Sequence, residues 1–291
     1  MLHVTNGDSV ASALRRTGLS GRVLPWRDIL HEGPVPGGLP LESLSGIRAR
    51  FLAEQGAGPF EAISADFGAR DAALRNARRV VLWFEHDLYD QLQLIQILDT
   101  LAGQAGVHCA LICIDRFPGV VPFHGLGQLT APQLAGLWPG RRRIGPSHFA
   151  SARTAWRAFT SPNAAALDGA LRRDLSALPF LPAALRRWRE EFPAAPDGLG
   201  RTERTALRAI AAGCDRFEPL FVAVRAAEPA SFLGDTTLRA RLEKLIRTRV
   251  PLLTPEPYRL TPAGARVLAG AADARALNGI DRWFGGRHLA A

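Results

Sequence analysis

The chain has 291 residues, 47% of them hydrophobic, with a net charge of +9 and three cysteines. That length allows one large domain or two ordinary ones. No apolar run approaches the roughly 20 residues of a membrane span, so no membrane partner is expected, and the first residues lack the basic-then-apolar pattern of a secretory leader. Cys109 and Cys113 lie four apart in a predicted strand, about 13 Å along it and beyond bridging distance, so a reducing cytoplasm is the expected location.

The first half alternates strand and helix. Leu2–Thr5 reads as a strand, Ser9–Thr17 as a short helix, and Arg22–Trp26 as a second strand. After the Gly/Pro-rich loop from His31 to Gly38, two helices are predicted over Leu41–Glu54 and Phe60–Ala77, with a weak point at Gly68. Val80–Phe84 is an unbroken apolar run that suits a strand buried on both faces. Leu88–Ala102 is an amphipathic helix with Leu88, Leu92, Ile95 and Leu98 in one stripe. Val107–Ile114 is a fourth strand. This alternation predicts a Rossmann-like α/β domain over residues 1–130, with a mostly parallel sheet.

From about residue 130 the strand signals stop. Ser147 is a candidate cap for a helix ending at Phe159. Two more helices fit Asn163–Ser176 and Pro182–Glu191, so residues 131–195 read as a helical connector. The Pro/Gly-rich segment from Phe192 to Gly200 reads as a linker. Helices over Thr202–Ala212, Pro219–Ala227 and Thr236–Thr248 follow. Leu252–Leu253 and Tyr258–Leu260 suggest a two-stranded wing, and Thr261-Pro262 opens a closing helix. Three helices, a wing and a helix resemble a winged-helix domain over residues 196–291.

The positive charge is uneven. Residues 1–130 carry 11 Arg and 13 acids, residues 131–195 carry 10 Arg and 4 acids, and residues 196–291 carry 15 Lys/Arg and 10 acids. The excess lies in the second half, where Arg239, Arg241, Lys244 and Arg247, with Arg249 beyond them, decorate the third helix. In a helix-turn-helix protein that helix enters the major groove, so DNA is a candidate partner. Against this, Lys244 is the only lysine. Arginine-rich usage by itself inflates the charge.

Four polar clusters follow four strands: Asn6-Gly7-Asp8-Ser9, then Arg27-Asp28 with His31-Glu32, then Glu85-His86-Asp87 with Asp90-Gln91, then Asp115-Arg116. In a parallel sheet they share the edge where such architectures bind ligands. Each also has a plain structural explanation as a cap, a turn or a local ion pair. On an extended segment the side chains of adjacent residues diverge, so either His86 enters the cleft, or Glu85 and Asp87 do. His86 and His31 are candidate acid/base groups, and Asp8 and Asp87 are candidate catalytic or orienting carboxylates. Asp8, Asp87 and Asp90 suit a hard cation such as Mg²⁺. Gly7 at a helix start lets an anion approach the backbone. Arg27 and Arg116 are the cations available to offset the carboxylates. The expectation is a site for a phosphate-bearing or nucleotide-like molecule, either catalytic or sensory. No P-loop, dinucleotide fingerprint or paired-cysteine zinc motif is present. Gly-Asp-Ser resembles the nucleophile block of SGNH hydrolases, but the partner blocks are missing, so Ser9 as a nucleophile has little support.

The stretches from His3 to Ser9, Trp26-Arg27-Asp28 with His31-Glu32-Gly33-Pro34, and Trp83 to Gln91 resemble a family of bacterial proteins known as domain of unknown function 1835. The likeness covers roughly residues 1–130, and Asp281-Arg282-Trp283-Phe284-Gly285-Gly286 is similar to the end of its longer members. The resemblance implies cysteine in place of Asp90 in some relatives, so that Asp90 would not be indispensable. It implies where a site lies and no particular chemistry.

Overall fold

The computed structural model describes residues 1–291. In chain order the elements are β1 (Leu2–Thr5), α1 (Asp8–Arg15), β2 (Arg22–Pro25), α2 (Leu41–Glu54), α3 (Phe60–Arg75), β3 (Arg79–Glu85), α4 (Leu88–Leu101), β4 (His108–Ile114), α5 (Ala131–Leu137), β5 (Arg142–Arg143), α6 (Pro146–Phe159), α7 (Ala165–Leu171) and α8 (Leu181–Arg189). Then come α9 (Arg201–Ala211), α10 (Phe217–Ala226), α11 (Asp235–Arg247), α12 (Pro262–Leu268), α13 (Ala274–Asn278), β6 (Asp281–Phe284) and β7 (Arg287–Ala290). No helix is long and apolar enough to cross a membrane.

The architecture is α/β, with a mostly parallel five-stranded sheet in the order β2-β1-β3-β4-β5. β1 pairs in parallel with β2 and β3, and β3 pairs in parallel with β4, with Thr5 opposite Pro25 and Trp83, and Glu85 opposite Ile114. β5 is a two-residue antiparallel edge, too short to leave a pattern in the sequence. All of β3 from Val80 to Glu85 is buried, which explains its unbroken apolar run. On one face Val81, Trp83 and Ile112 pack with Val10 and Leu14 of α1 and with Leu126 and Leu134. Trp83 Nε1 donates to His3 Nδ1 at 3.1 Å, and the opposite ring nitrogen of His3 lies 3.2 Å from the Ser20 carbonyl. The other face is covered by α4, whose Gln93 and Gln96 are fully buried. Gln93 donates to the Asp28 carbonyl at 2.8 Å, and Gln96 accepts from Trp26 Nε1 at 2.9 Å. These two bonds tie α4 to the segment after β2.

The chain divides into two compact units, residues 1–185 with 283–288, and residues 186–282 with 289–291. This differs from the three-part expectation. The helices expected as a connector up to residue 185 belong to the first unit, because α6 packs directly on α4 through Ala152 and Ala155, both fully buried. Ser147 does not cap α6. Gly145 is the cap residue and Pro146 opens the helix, slightly earlier than expected. The C-terminal Gly285-Gly286 also joins the first unit. Gly286 N donates to the Phe159 carbonyl at 3.0 Å, and Val35 N donates to the Gly285 carbonyl at 2.8 Å. A Cβ on Gly286 would sit 1.7 Å from the Thr160 carbonyl oxygen, so only glycine fits there.

In the second unit, the predicted linker from Phe192 to Gly200 is a hydrogen-bonded turn, exposed over 194–196 and buried from Asp197 to Gly200. Asp197 accepts from Leu199 N at 3.0 Å and from both arms of Arg204 at 2.5 and 2.8 Å. α9, α10 and α11 pack through Leu207, Leu220, Val224, Leu238 and Leu242. The expected wing reduces to one antiparallel bridge, Leu253 with Leu260. Thr261 caps α12 through Gly264 N at 3.0 Å, with Pro262 at the first position as expected.

Candidate functional site

The strand order reverses between β1 and β3, the position where open α/β sheets form their ligand crevice. Three carboxyls gather there. Glu85 is the last residue of β3, Asp87 caps α4, and Asp90 is in its first turn. One oxygen from each lies within 4.8 Å of the other two, and all three residues are buried. Local chain geometry explains the convergence. Glu85 and Asp87 alternate past His86 on extended backbone, and the turn from Asp87 to Asp90 brings positions i and i+3 onto one helix face.

The hydrogen bonds come from neutral donors. Asp90 accepts from Asn6 Nδ2 at 2.7 Å and from Glu85 N at 2.6 Å. Asp87 accepts from Asp90 N at 2.9 Å. Glu85 accepts from Leu126 N at 2.5 Å. Gln91 Nε2 donates to the Glu85 carbonyl at 2.6 Å, fixing the strand end from below. Gly125 closes the site from the β4–α5 loop. It has φ +143, and a Cβ there would lie 2.1 Å from Glu85 Oε2.

No arginine, lysine or histidine pairs with these carboxyls. Burial pushes Glu85 up to about 8, with the Asp87 charge adding to it and the Leu126 N–H opposing it. Burial also raises Asp87 to about 6, against the backbone N–H groups of Asp90 and Tyr89. Asp90 is raised by burial and then by the charges of Glu85 and Asp87. Two charges no more than 4.8 Å apart repel by at least roughly 3 kcal/mol at an effective dielectric of about 20. Three such pairs mean that the cluster holds protons at neutral pH or takes a cation.

Asp8 points to solvent and grips Arg27 through both oxygens at 2.6 and 2.7 Å, while Arg27 also reaches Asp66. Arg27 is thereby committed outside the carboxyl cluster, and the expected grouping of Asp8 with Asp87 and Asp90 does not occur. Gly7 is extended, with open space where a Cβ would be. Ser9 is exposed beside Gly127 and has no histidine or carboxylate bonded to it. Asp28 is fully buried against Arg48 at 2.8 Å, and Arg48 also holds the carbonyls of Ile29, Glu32 and Pro34. Asp28 and the Glu32 backbone therefore shape the loop after β2. Nothing in the sequence marks Arg48 as their partner, since it lies 20 residues downstream of Asp28.

His31 is buried edge-on to Tyr89, with ring centroids 5.9 Å apart. Tyr89 lies 3.4 Å from the Asn6 carbonyl, so this pair backs the carboxyl cluster. His86 takes the opposite direction from Glu85 and Asp87. It meets Phe180 edge-on at 6.0 Å; burial lowers its pKa against the pull of Asp115. Asp115 and Arg116 form a surface ion pair at 3.0 Å with Arg116 85% exposed. The structure thus unites Asn6, Glu85, Asp87, Asp90 and Gln91, and separates Asp8, Arg27, Asp28, His86, Asp115 and Arg116 from them. Gly125 and Leu126 are site residues that sequence reasoning misses. They approach Glu85 from 41 residues away in the case of Leu126, and a lone glycine in a loop carries no local signal.

Comparison with protein-family models and with curated proteins finds no match.

Proposed function

We propose that the first unit binds a phosphate-bearing small molecule at the carboxyl ends of β1 and β3, through a hard divalent cation held by Glu85, Asp87 and Asp90. One observation carries this reading: three buried carboxyls within 4.8 Å of each other, with no positive side chain among them. All-oxygen donors suit Mg²⁺, which keeps waters and is shared with ligand phosphates. The neutral hydrogen bonds leave lone pairs on every carboxyl. When bound, the cation would supply the positive charge that an anionic ligand needs at an otherwise acidic site. Asn6 holds the Asp90 carboxyl, the Leu126 N–H holds that of Glu85, and Gln91 holds the Glu85 backbone. Because the likeness to the bacterial family implies cysteine at position 90 in some relatives, Glu85 and Asp87 are the primary ligands in this reading.

The test is titration of the metal-free protein with Mn²⁺, followed by electron paramagnetic resonance. One bound ion, displaced by Mg²⁺ and lost in Asp87→Asn, is the expected result. No binding at millimolar Mn²⁺ would reject the cation and leave a proton-sharing carboxyl cluster.

For the second unit we favour a winged-helix-like reading, supported by the order α9, α10, α11, bridge, α12. Its use on DNA is the weaker reading. Arg241 is 5% exposed and bound to Glu191, so it cannot reach a duplex. Arg239 lies over the Phe217 ring at 3.3 Å, and Arg247 pairs with Glu243. Lys244 remains exposed on α11. Salt-dependent duplex binding that is weakened by Lys244→Ala and Arg247→Ala together would support the DNA reading.

A further inference from the structure

The amino ends of β1, β2 and β3 lie at the sheet edge opposite the carboxyl cluster, and a cavity of about 570 Å³ opens there. That volume falls within the range of small-molecule sites. One wall is the last turns of α3, which present Ala69, Ala72 and Ala73, continued by Asn76 at the cap and Ala77 beyond it. The spacing i, i+3, i+4 puts the methyl groups of Ala69, Ala72 and Ala73 on one helix face. The rim is Arg22 at the start of β2 and Arg78-Arg79 at the start of β3. Arg22 and Val80 both lie opposite Leu2 in register. Arg22 and Arg79 therefore flank the start of β1 across two strand spacings, roughly 10 Å.

The charge at this cavity is unbalanced. Arg27, Arg48, Arg70 and Arg75 each pair with a carboxylate. Arg22 and Arg79 pair with none, and Arg78 gives only one N–H, to the Ala105 carbonyl at 3.2 Å. No acidic residue lines the cavity. The C-terminal end of α3 contributes only about half a negative charge, which leaves most of three guanidinium charges uncompensated. Guanidinium forks match phosphate oxygens in pairs, and a methyl-lined wall accepts an apolar or planar body.

We propose that this cavity binds a phosphomonoester with an apolar or planar body, directly through Arg22, Arg78 and Arg79 and without a metal. This is a second site, independent of the carboxyl cluster.

The test is calorimetric titration of the full chain with AMP, with adenosine and inorganic phosphate as part-ligands, in buffer containing EDTA. AMP should bind, with adenosine weaker by about tenfold or more. Arg22→Ala and Arg79→Ala should each weaken AMP by about tenfold. Ala73→Leu, which fills the wall without changing charge, should abolish binding, and circular dichroism should show each variant folded. Asp87→Asn should leave AMP affinity unchanged. Three results would overturn the proposal: no AMP binding at millimolar concentration, equal binding of AMP and adenosine, or binding unaffected by Ala73→Leu. Loss of AMP binding in Asp87→Asn, or AMP binding that appears only when Mg²⁺ replaces the EDTA, would also overturn it and assign the ligand to the strand-end cluster instead. A failure here leaves the Mn²⁺ experiment untouched.

Discussion

Replacing Glu85 by Gln removes one charge from the carboxyl cluster while keeping an oxygen to accept the Leu126 N–H. In the folded protein Glu85 is raised from 4.5 to about 8 by burial first and by Asp87 second. A carboxyl raised on folding holds its proton in the native state after the unfolded chain has lost it. Native stability therefore declines as pH rises from about 4.5 towards 8, by a little over 1 kcal/mol for each pH step of one between those values. For Glu85 this amounts to roughly 4–5 kcal/mol as an upper figure, a large part of the 5–15 kcal/mol that stabilises an ordinary domain. Asp87, raised to about 6, adds a loss in the same direction at lower pH. The assay is urea unfolding in EDTA between about pH 6.5 and 9, above the range of ordinary carboxylates, with Glu85→Gln as the reference that carries the same histidines. The wild-type midpoint should fall across that window, and Glu85→Gln should flatten the profile and be the more stable protein at its alkaline end. Adding Mg²⁺ to the wild type should restore stability by about 2.7 kcal/mol at a hundredfold excess over Kd, and should do less for the variant. A wild-type profile that stays flat, or rises across the window, would refute the argument that the cluster is short of positive charge.

Four further outcomes are expected. Gly125→Ala forces a Cβ to 2.1 Å from Glu85 Oε2 at φ +143, so thermal unfolding should show a loss of at least about 2 kcal/mol. Arg48→Ala strands the buried Asp28 carboxylate and frees three loop carbonyls, for a loss of about 3–5 kcal/mol by urea unfolding; Arg48→Met with Asp28→Asn should lose less. His3 is lowered by burial and has its Nδ1 committed to Trp83. Its imidazole resonances should therefore stay neutral below pH 6.5 in an NMR titration, and stability should fall as pH drops below 6.5, where the unfolded chain takes up the proton first. Burial tends to raise Glu191, but Arg241, Arg187 and Arg282 overcome it and hold this carboxylate well below its ordinary range. Arg241→Ala should cost the second unit about 3 kcal/mol, and the loss should appear whether or not DNA is present.

Arg241 shows how a legible pattern can still mislead. Leu238, Leu242 and Leu245 form the buried stripe of α11, and position 241 falls between them on the same face. Charge alone suggests a surface position for the arginine. It is buried because Glu191, 50 residues earlier, meets it there. The segment around Asp197 differs from expectation for a similar reason: Pro and Gly announce a turn but do not say whether the turn is exposed. Asp8 follows a parallel strand just as Asp87 and Asp90 do, which suggests a common site. Its neighbour Arg27, at the next strand end, captures it instead.

By themselves, the apolar runs and helical spacings determined the four parallel strands, their alternation with helices, and the edge where Asn6, Glu85, Asp87 and Asp90 meet. Those features depend on contacts within a few residues, which leave a period in the chain. Tertiary structure decided which of the neighbours Glu85, His86 and Asp87 face inward, and it brought Gly125 and Leu126 onto Glu85. It also placed the last Gly-Gly against the carbonyls of Phe159 and Thr160, and it drew three arginines without carboxylate partners around an alanine wall. Each of those depends on partners far apart in sequence, and a buried charge or a close backbone approach is specified only when both partners are in place.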